Sequence, residues 1–337
     1  MTENHSGAEP ILCYHCLNPI DWATQQPFRY DPAQESWVPV PPAHETSAQA
    51  WAHGTVNAII YCPHEQCRQQ LPFKYGQHGP PVIIGFVGET ASGKTHLISA
   101  MIQAIEAQGL AGLKVQWVDG SRHNKVKDSA IRKLFGERVP LPRTERSIVE
   151  FTDAFIAQET NRPARVVALF DVSGEDLVSA EDTRRFLFGA DALIFVADPK
   201  LLGMFGDRAI ATVLNVLPAH QLDRMASAVV LNKADLLQFD FPIDLWLRRP
   251  VGLDPRAVLQ ESRDVYAYLH SRGAQAWNRP YQVMPRSTLH VASATGGDTV
   301  GNQFVRGVNP RRVLGPLLAT LAMTGVITSA PAQEIGI

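Results

Sequence analysis

Beyond position 67 the 337-residue chain has no cysteine, and nowhere does it carry a strong excess of one charge. Lys and Arg number 31 against 33 Asp and Glu, a formal net charge of −2. That balance excludes a global positive field for nucleic acid and an acidic solvating tail. Long apolar runs are also missing. The longest, residues 313–327, has 15 positions broken by Gly, Pro and Thr, short of the roughly 20 that a membrane helix needs. It is expected to form a buried terminal helix. Residues 1–10 are polar and lack the apolar centre of a secretory signal, so a soluble cytoplasmic protein without membrane contact is expected. What is present is 45% hydrophobic and 19% charged residues, the balance of a chain that buries a core. At roughly 100–200 residues per domain the length suggests about two domains.

The four cysteines form two close pairs, Cys13-Tyr-His-Cys16 and Cys62-Pro-His-Glu-Gln-Cys67. Two turns that each supply two thiolates suit a closed tetrahedral Zn²⁺ site, structural because no position is left for substrate. A disulfide reading would need an oxidising compartment, and four buried thiols without metal is the plain alternative. His15 and His64 lie inside the knuckles and could each replace a cysteine as ligand, although four thiolates make surface histidines the better reading. Between the pairs, prolines punctuate a segment with few apolar residues, expected to be short strands and loops held by the metal. The second knuckle resembles that of a zinc ribbon or treble clef.

After the linker at 76–81 the pattern changes. Residues 82–87, Val-Ile-Ile-Gly-Phe-Val, read as a strand buried on both faces. They run into Gly88-Glu89-Thr90-Ala91-Ser92-Gly93-Lys94-Thr95, followed by helical periodicity from His96 to about Ala107. Strand, GxxxxGK[ST] and helix in this order are the phosphate-binding P-loop in its confirming context. Gly88 and Gly93 let backbone amides converge on phosphate oxygens, and the helix adds its positive end. Lys94 supplies a cation to the β- and γ-phosphates, and Thr95 an oxygen ligand to Mg²⁺.

Three further strands carry partner motifs. Residues 165–170 lead into Asp171-Val-Ser-Gly174-Glu175. An acid at the carboxyl end of a strand beside the P-loop is where Mg²⁺ is held, and the Gly174 amide would meet the γ-phosphate. After a strand at 191–196, the strand at 228–231 ends in Asn232-Lys233-Ala234-Asp235. A carboxylate at Asp235 accepts from guanine N1–H and its exocyclic amine. Adenine has an acceptor at N1 and no amine at C2, and a site built around a polar pair rejects an analogue that lacks the partner. Lys233 would lie along the base plane, with Asn232 bracing the loop. Residues 289–292 lead to Ser293-Ala294-Thr295, where a backbone amide would reach guanine O6.

The order and strand-end placement of these motifs resemble the Ras-like P-loop GTPases of the translation-factor-related (TRAFAC) class. With the cysteine knuckles and the closing helix at 312–325, the chain also resembles the bacterial double-GTPase families of conflict systems. The resemblance implies an α/β three-layer sandwich over 82–330, mostly parallel with one antiparallel edge strand. A zinc-ribbon-like domain at 10–75 would precede it, with tails at 1–9 and 331–337. It implies a Mg²⁺-dependent switch that binds GTP and GDP, hydrolyses GTP and signals to a protein partner, by analogy a companion GTPase. The family's first-switch threonine, which closes on Mg²⁺ and γ-phosphate, would be Thr144, ahead of a strand at 148–156. Thr152, inside that strand, is the poorer candidate.

Where Ras-like enzymes carry a water-orienting glutamine, this chain has Glu175, which could take a proton from water yet repels the γ-phosphate. Lys94, Thr144, Gly174 and Glu175 form the expected catalytic set. Two outcomes stay open: slow, partner-assisted hydrolysis, or a binding switch with little turnover. The basic segment 122–146 reads as a solvated helix face, or as a docking surface that places Arg143 over the phosphates. An alternative function is a zinc-ribbon interaction module on a nucleotide-stabilised scaffold. With only Arg29, Arg68 and Lys74 as fixed cations between Cys13 and Lys74, protein contact is expected in preference to nucleic acid. Trp246, Tyr266 and Tyr268 are expected as core, with a helix at 264–271.

Overall fold

The computed structural model describes residues 9–89, 91–142, 149–173, 181–201 and 208–336. Its N-terminal part is built from short elements: β1 (Ile11–Leu12), β2 (Pro19–Ile20), β3 (Phe28–Asp31), β4 (Ser36–Pro39), α1 (Ala48–Thr55), β5 (Ile59–Tyr61) and β6 (Gln70–Pro72). The first two strands form a hairpin whose turn carries Cys13 and Cys16, and the other four make a small antiparallel sheet in the order β4-β3-β5-β6.

The main body starts with β7 (Val82–Gly88), buried at every position as its unbroken apolar run requires. Then follow α2 (Lys94–Gln108), β8 (Lys114–Trp117), α3 (Gly120–Val126), β9 (Val149–Gln158), β10 (Arg165–Ser173), α4 (Glu181–Gly189) and β11 (Ala192–Ala197). After these come α5 (Arg208–Val216), α6 (Ala219–Arg224), β12 (Ala226–Leu231), α7 (Ile243–Arg248), α8 (Pro255–Ser271), α9 (Arg279–Val283), β13 (Ser287–Val291) and α10 (Leu314–Met323). The seven long strands form one sheet, β13-β12-β11-β7-β10-β9-β8. Its first five strands are mutually parallel. Alternation along β7 divides the core: Val82, Ile84 and Phe86 pack with α2 and α10, whereas Ile83 and Val87 share a cluster with α4, α5 and α8. Gly85 admits Phe186, whose ring would lie 2.7 Å from any Cβ there.

Several expectations change. The antiparallel strand is β9, not an edge strand, because β8 pairs outside it and takes the edge. Strand β9 carries a bulge: Leu169 faces Asp153 but Phe170 faces Phe151, leaving Thr152 over. The Arg122 guanidinium donates to the carbonyls of Phe151 and Thr152 and lies 4.5 Å over the Phe151 ring. Arg122 is therefore not a solvated helix charge. Beyond α3 the chain continues as a π-helix, Lys127–Glu137. Helix α8 starts nine residues earlier than expected, at Pro255, because Asp254 caps it by accepting from the Arg256 amide at 3.1 Å. Residues 331–336, read as a tail, contribute buried Ala332 and Ile335 to the α2–α10 cluster.

The cysteine-bearing part does not stand apart either. Ile11, Cys13, Tyr14, Ile20, Cys62, Leu71 and Tyr75 belong to the same apolar cluster as Phe151, Phe170 and Phe186. Tyr14, inside the first knuckle, stacks on Phe151 with ring centroids 4.0 Å apart at 15°. At 76–81, expected as a linker, Gly76 packs so tightly on Ile11 and Trp22 that a Cβ would stand 2.4 Å from both.

An ionic seam, buried at His123 and Asp153 and open to solvent at Glu106, holds α2, α3 and β9 together. His123 Nδ1 lies 2.8 Å from Asp153 Oδ2, and its Nε2 2.9 Å from Glu106 Oε1, with the ring stacked 3.9 Å from Trp117. Burial alone would lower the imidazole pKa, but the hydrogen bonds to two carboxylates outweigh it and raise it above its ordinary 6.5. A raised folded-state pKa stabilises the fold fully below 6.5, and that contribution disappears as pH rises through the folded value. Thermal melts across this window should therefore show wild type losing stability relative to His123→Phe, which keeps the Trp117 stack. Parallel pH profiles would refute the assignment of charge to this seam.

Candidate functional site

The carboxyl ends of β7, β10, β11, β12 and β13 open on one edge of the sheet, the usual ligand edge of open α/β folds. Loop 88–95 leaves β7 there. Gly88 sits against Val196, whose carbonyl oxygen would be 2.6 Å from a Cβ, and Gly93 adopts φ +87° to start α2. Neither position admits a side chain. Lys94 Nζ turns back over the loop and donates to the Gly88 and Glu89 carbonyls at 2.9 and 3.2 Å. The Thr95 hydroxyl donates to Asp171 Oδ2 at 2.6 Å, so the two expected Mg²⁺ ligands from different strand ends meet. Burial pushes the Asp171 carboxyl above the usual carboxylate range, partly offset by Lys94 and the Thr95 hydroxyl.

Asn232, at the end of β12, is fully buried. Its side-chain amide donates to the Ser92 and Gly93 carbonyls at 3.0 and 3.4 Å, and its Oδ1 accepts from the Ala294 amide at 3.3 Å. Lys233, in the left-handed region at φ 52°, donates to the Ala91 carbonyl at 2.7 Å. Ser293 Oγ donates to Asp235 Oδ1 and accepts from the Gly296 amide at 2.9 Å. Thr295 turns its hydroxyl to the Gly297 carbonyl, 3.0 Å away. Gly88, Glu89, Ala91, Ser92, Gly93, Lys94, Thr95, Asp171, Asn232, Lys233, Asp235, Ser293, Ala294 and Thr295 thus lie around one edge. Thr90, Thr144, Gly174 and Glu175 fall outside the described residues, as does Arg143. Thr152 is the bulged residue of β9.

Two contributors carry no motif. Asp198, buried just beyond β11, accepts from Lys233 Nζ at 2.6 Å and from the Lys200 amide at 2.9 Å. The available signal was positional: like Asp171, it is an acid directly after an apolar strand. His96 accepts from the Leu141 amide at 3.1 Å. Burial, reinforced by the nearby Lys233 charge, pushes its pKa down to about 4, so the ring is a neutral acceptor near neutral pH.

The second centre is the thiol cluster. All four sulfur atoms lie within 4.8 Å of one another, with Cys13–Cys67 at 4.0 Å and Cys16–Cys62 at 3.8 Å. Bonds of about 2.3 Å to a tetrahedral ion separate sulfurs by about 3.8 Å, so the donor set fits a metal. The knuckles share one turn geometry, with the residue after each second cysteine left-handed: Leu17 at φ 57° and Arg68 at φ 48°. His15 and His64 direct Nε2 to the Gln70 and Pro19 carbonyls at 3.3 and 3.0 Å, which leaves the cysteines as the donors. Burial pushes the Cys13 thiol up, so a thiolate there requires an adjacent cation.

A family model for Double-GTPase 2 matches residues 82–258, more than half of the chain. The chain belongs to the Double-GTPase 2 family. No curated protein matches it. Among solved structures it is similar to Sup35 complexed with GDP, at 13% identity over 67% of this chain and 43% of that one, TM-score 0.30. It is also similar to a bacterial selenocysteine-specific elongation factor, EF-Sec, at 15% identity over 74% and 30%, TM-score 0.31. The chain thus spans less than half the length of either. For this Double-GTPase 2 member, no helix among the described residues is long and apolar enough to cross a membrane.

Because the thiol cluster and the sheet share one apolar core, metal loss should reach beyond the knuckles. Elemental analysis is expected to find one tightly bound metal ion per chain, absent in Cys16→Ser. That variant should also melt at a lower temperature than wild type. A metal-free wild-type protein with the same melting temperature would contradict this.

Proposed function

We propose that the chain is a GTP-binding switch that hydrolyses GTP to GDP and phosphate with Mg²⁺. One observation carries this reading: Asp235, fixed by Ser293, is joined through Asn232 to the backbone of the phosphate loop. Base edge and phosphates would then be held by one rigid frame. In this reading the carboxylate of Asp235 accepts from guanine N1–H and N2–H, and the Ala294 amide faces O6. The amides of loop 88–95 and the Lys94 ammonium take the β- and γ-phosphate oxygens, replacing the carbonyl contacts that Lys94 now makes. Thr95 and Asp171 hold Mg²⁺, whose charge offsets that of the phosphates. By the family resemblance, Gly174 would sense the γ-phosphate, Thr144 would close the first switch, and Glu175 would take the place of the water-orienting glutamine. The four-cysteine centre holds structural Zn²⁺, and the signal passes to a protein partner.

A glutamate in place of the usual glutamine makes unassisted turnover slow, because its charge opposes the γ-phosphate. Single-turnover assays with labelled GTP should show phosphate release that depends on Mg²⁺. Lys94→Ala should reduce it by about 100-fold or more, the scale of losing one aligned charge stabiliser. Unchanged rates in Lys94→Ala would refute the phosphate assignment, and unchanged rates in Glu175→Ala would remove that residue from the mechanism.

A further inference from the structure

Strand β13 closes one end of the seven-stranded sheet, so the amides on its outer side have no strand to pair with. Helix α8 lies along that edge and supplies side chains instead. The Leu289 amide donates to Ser262 Oγ at 3.0 Å, and the Val291 amide to Glu261 Oε1 at 2.9 Å. A serine hydroxyl suffices at the first position. At the second stands a carboxylate whose side chain is only 3% exposed, an expensive choice unless a charge answers it. Arg312, 6% exposed, answers it: Nη2 donates to Glu261 Oε2 at 2.7 Å, where His290 Nδ1 also lies at 3.2 Å. Burial would raise the Glu261 pKa, but His290, Arg312 and the Val291 amide together hold it below the usual carboxylate range.

Arg312 is tied down on its other side as well. Its Nη1 donates to the Arg249 and Pro250 carbonyls at 2.7 and 3.2 Å, and the guanidinium lies 5.4 Å from the centre of the Trp246 ring. The residues just before it run antiparallel to the loop that follows β13. Arg311 and Ser293 exchange both backbone hydrogen bonds, at 2.8 and 2.9 Å, and the Asn309 amide donates to the Thr295 carbonyl at 2.8 Å. Gly296 completes the fit, since a Cβ there would stand 2.4 Å from the Asn309 carbonyl oxygen. A single ionic pair therefore holds loop 293–295 from two directions. Glu261 grips the strand residue two before Ser293, and Arg312 follows directly on the residue that brackets it.

We infer that Glu261 and Arg312 are positioning residues for base recognition, fixing the placement of loop 293–295 relative to Asp235. This rests on the guanine reading of that loop, in which the Ala294 amide faces O6. Both residues act through the loop, and Ser293 Oγ transmits the constraint because it binds Asp235 directly. Replacing a buried ion pair by apolar groups often leaves a fold as stable as before. Base selectivity is then the quantity that this pair controls.

Calorimetric titration with GTP, ATP and inorganic tripolyphosphate separates loop placement from folding. The double variant Glu261→Gln/Arg312→Met removes both charges together. Its affinity for GTP should fall by about 10-fold, the scale of one misaligned hydrogen bond, while ATP and tripolyphosphate bind as in wild type. Arg312→Lys keeps the charge but not the planar fork and should lower the GTP-to-ATP affinity ratio in the same direction, which supplies the test should the double variant not fold. Melting temperature and circular dichroism identify the folded variants. A folded variant with wild-type selectivity, or one weakened equally towards all three ligands, would overturn the inference. A wild-type protein without preference for GTP over ATP would overturn the guanine reading, and the inference with it.

Discussion

The side-chain amide of Asn232 is the contact on which the site depends. It is fully buried at the end of β12, with donors committed to the phosphate-loop carbonyls of Ser92 and Gly93 and its acceptor to the Ala294 amide. Three loops from three strand ends are thereby held at fixed separation. A buried amide left without these partners would cost roughly 1–3 kcal/mol, so the frame is self-enforcing. The requirement passes to its neighbours. Gly93 must lack a side chain because a Cβ would stand 2.7 Å from Asn232 Nδ2. Lys233 adds a parallel tie to Ala91, and the buried carboxylate of Asp198 fixes that lysine.

A second constraint joins the cysteine centre to the sheet. Tyr14 lies between two cysteines of one knuckle and stacks on Phe151, which also packs against Arg122, Phe170 and Tyr75. Phe151 belongs to β9, which pairs with the strand ending near Asp171. The four cysteines thus extend the core of the GTPase fold, and Arg122 is drawn inward to satisfy the carbonyls that the β9 bulge releases. This accounts for a basic residue that charge pattern alone would leave in water.

Much of this architecture was legible in the sequence where one local rule dominates. Strands β7, β10, β11, β12 and β13 announced themselves as apolar runs because both of their faces are covered. The glycines of loop 88–95 and the paired cysteines were readable because few other residue types tolerate those positions. What escaped was set by distant contacts. Strand β8 alternates weakly and exists because β9 offers it an edge. The start of α8 follows from the Asp254 cap, and the burial of Ala332 and Ile335 from a cleft that α10 shares with α2. His96 was illegible because its role arises from a partner far along the chain, Leu141, and Asp198 offered only its position after an apolar strand, its partner Lys233 lying 35 residues on.

If one rigid frame reads a guanine base and its phosphates together, as proposed, competition between nucleotides exposes it. Calorimetric titration of the metal-loaded protein with GTP, GDP and ATP should show tight binding of both guanine nucleotides. ATP should bind weaker by roughly 100-fold or more, and Asp235→Ala should erase the difference. Equal affinity for ATP and GTP in the wild-type protein, or no binding of either, would contradict the account.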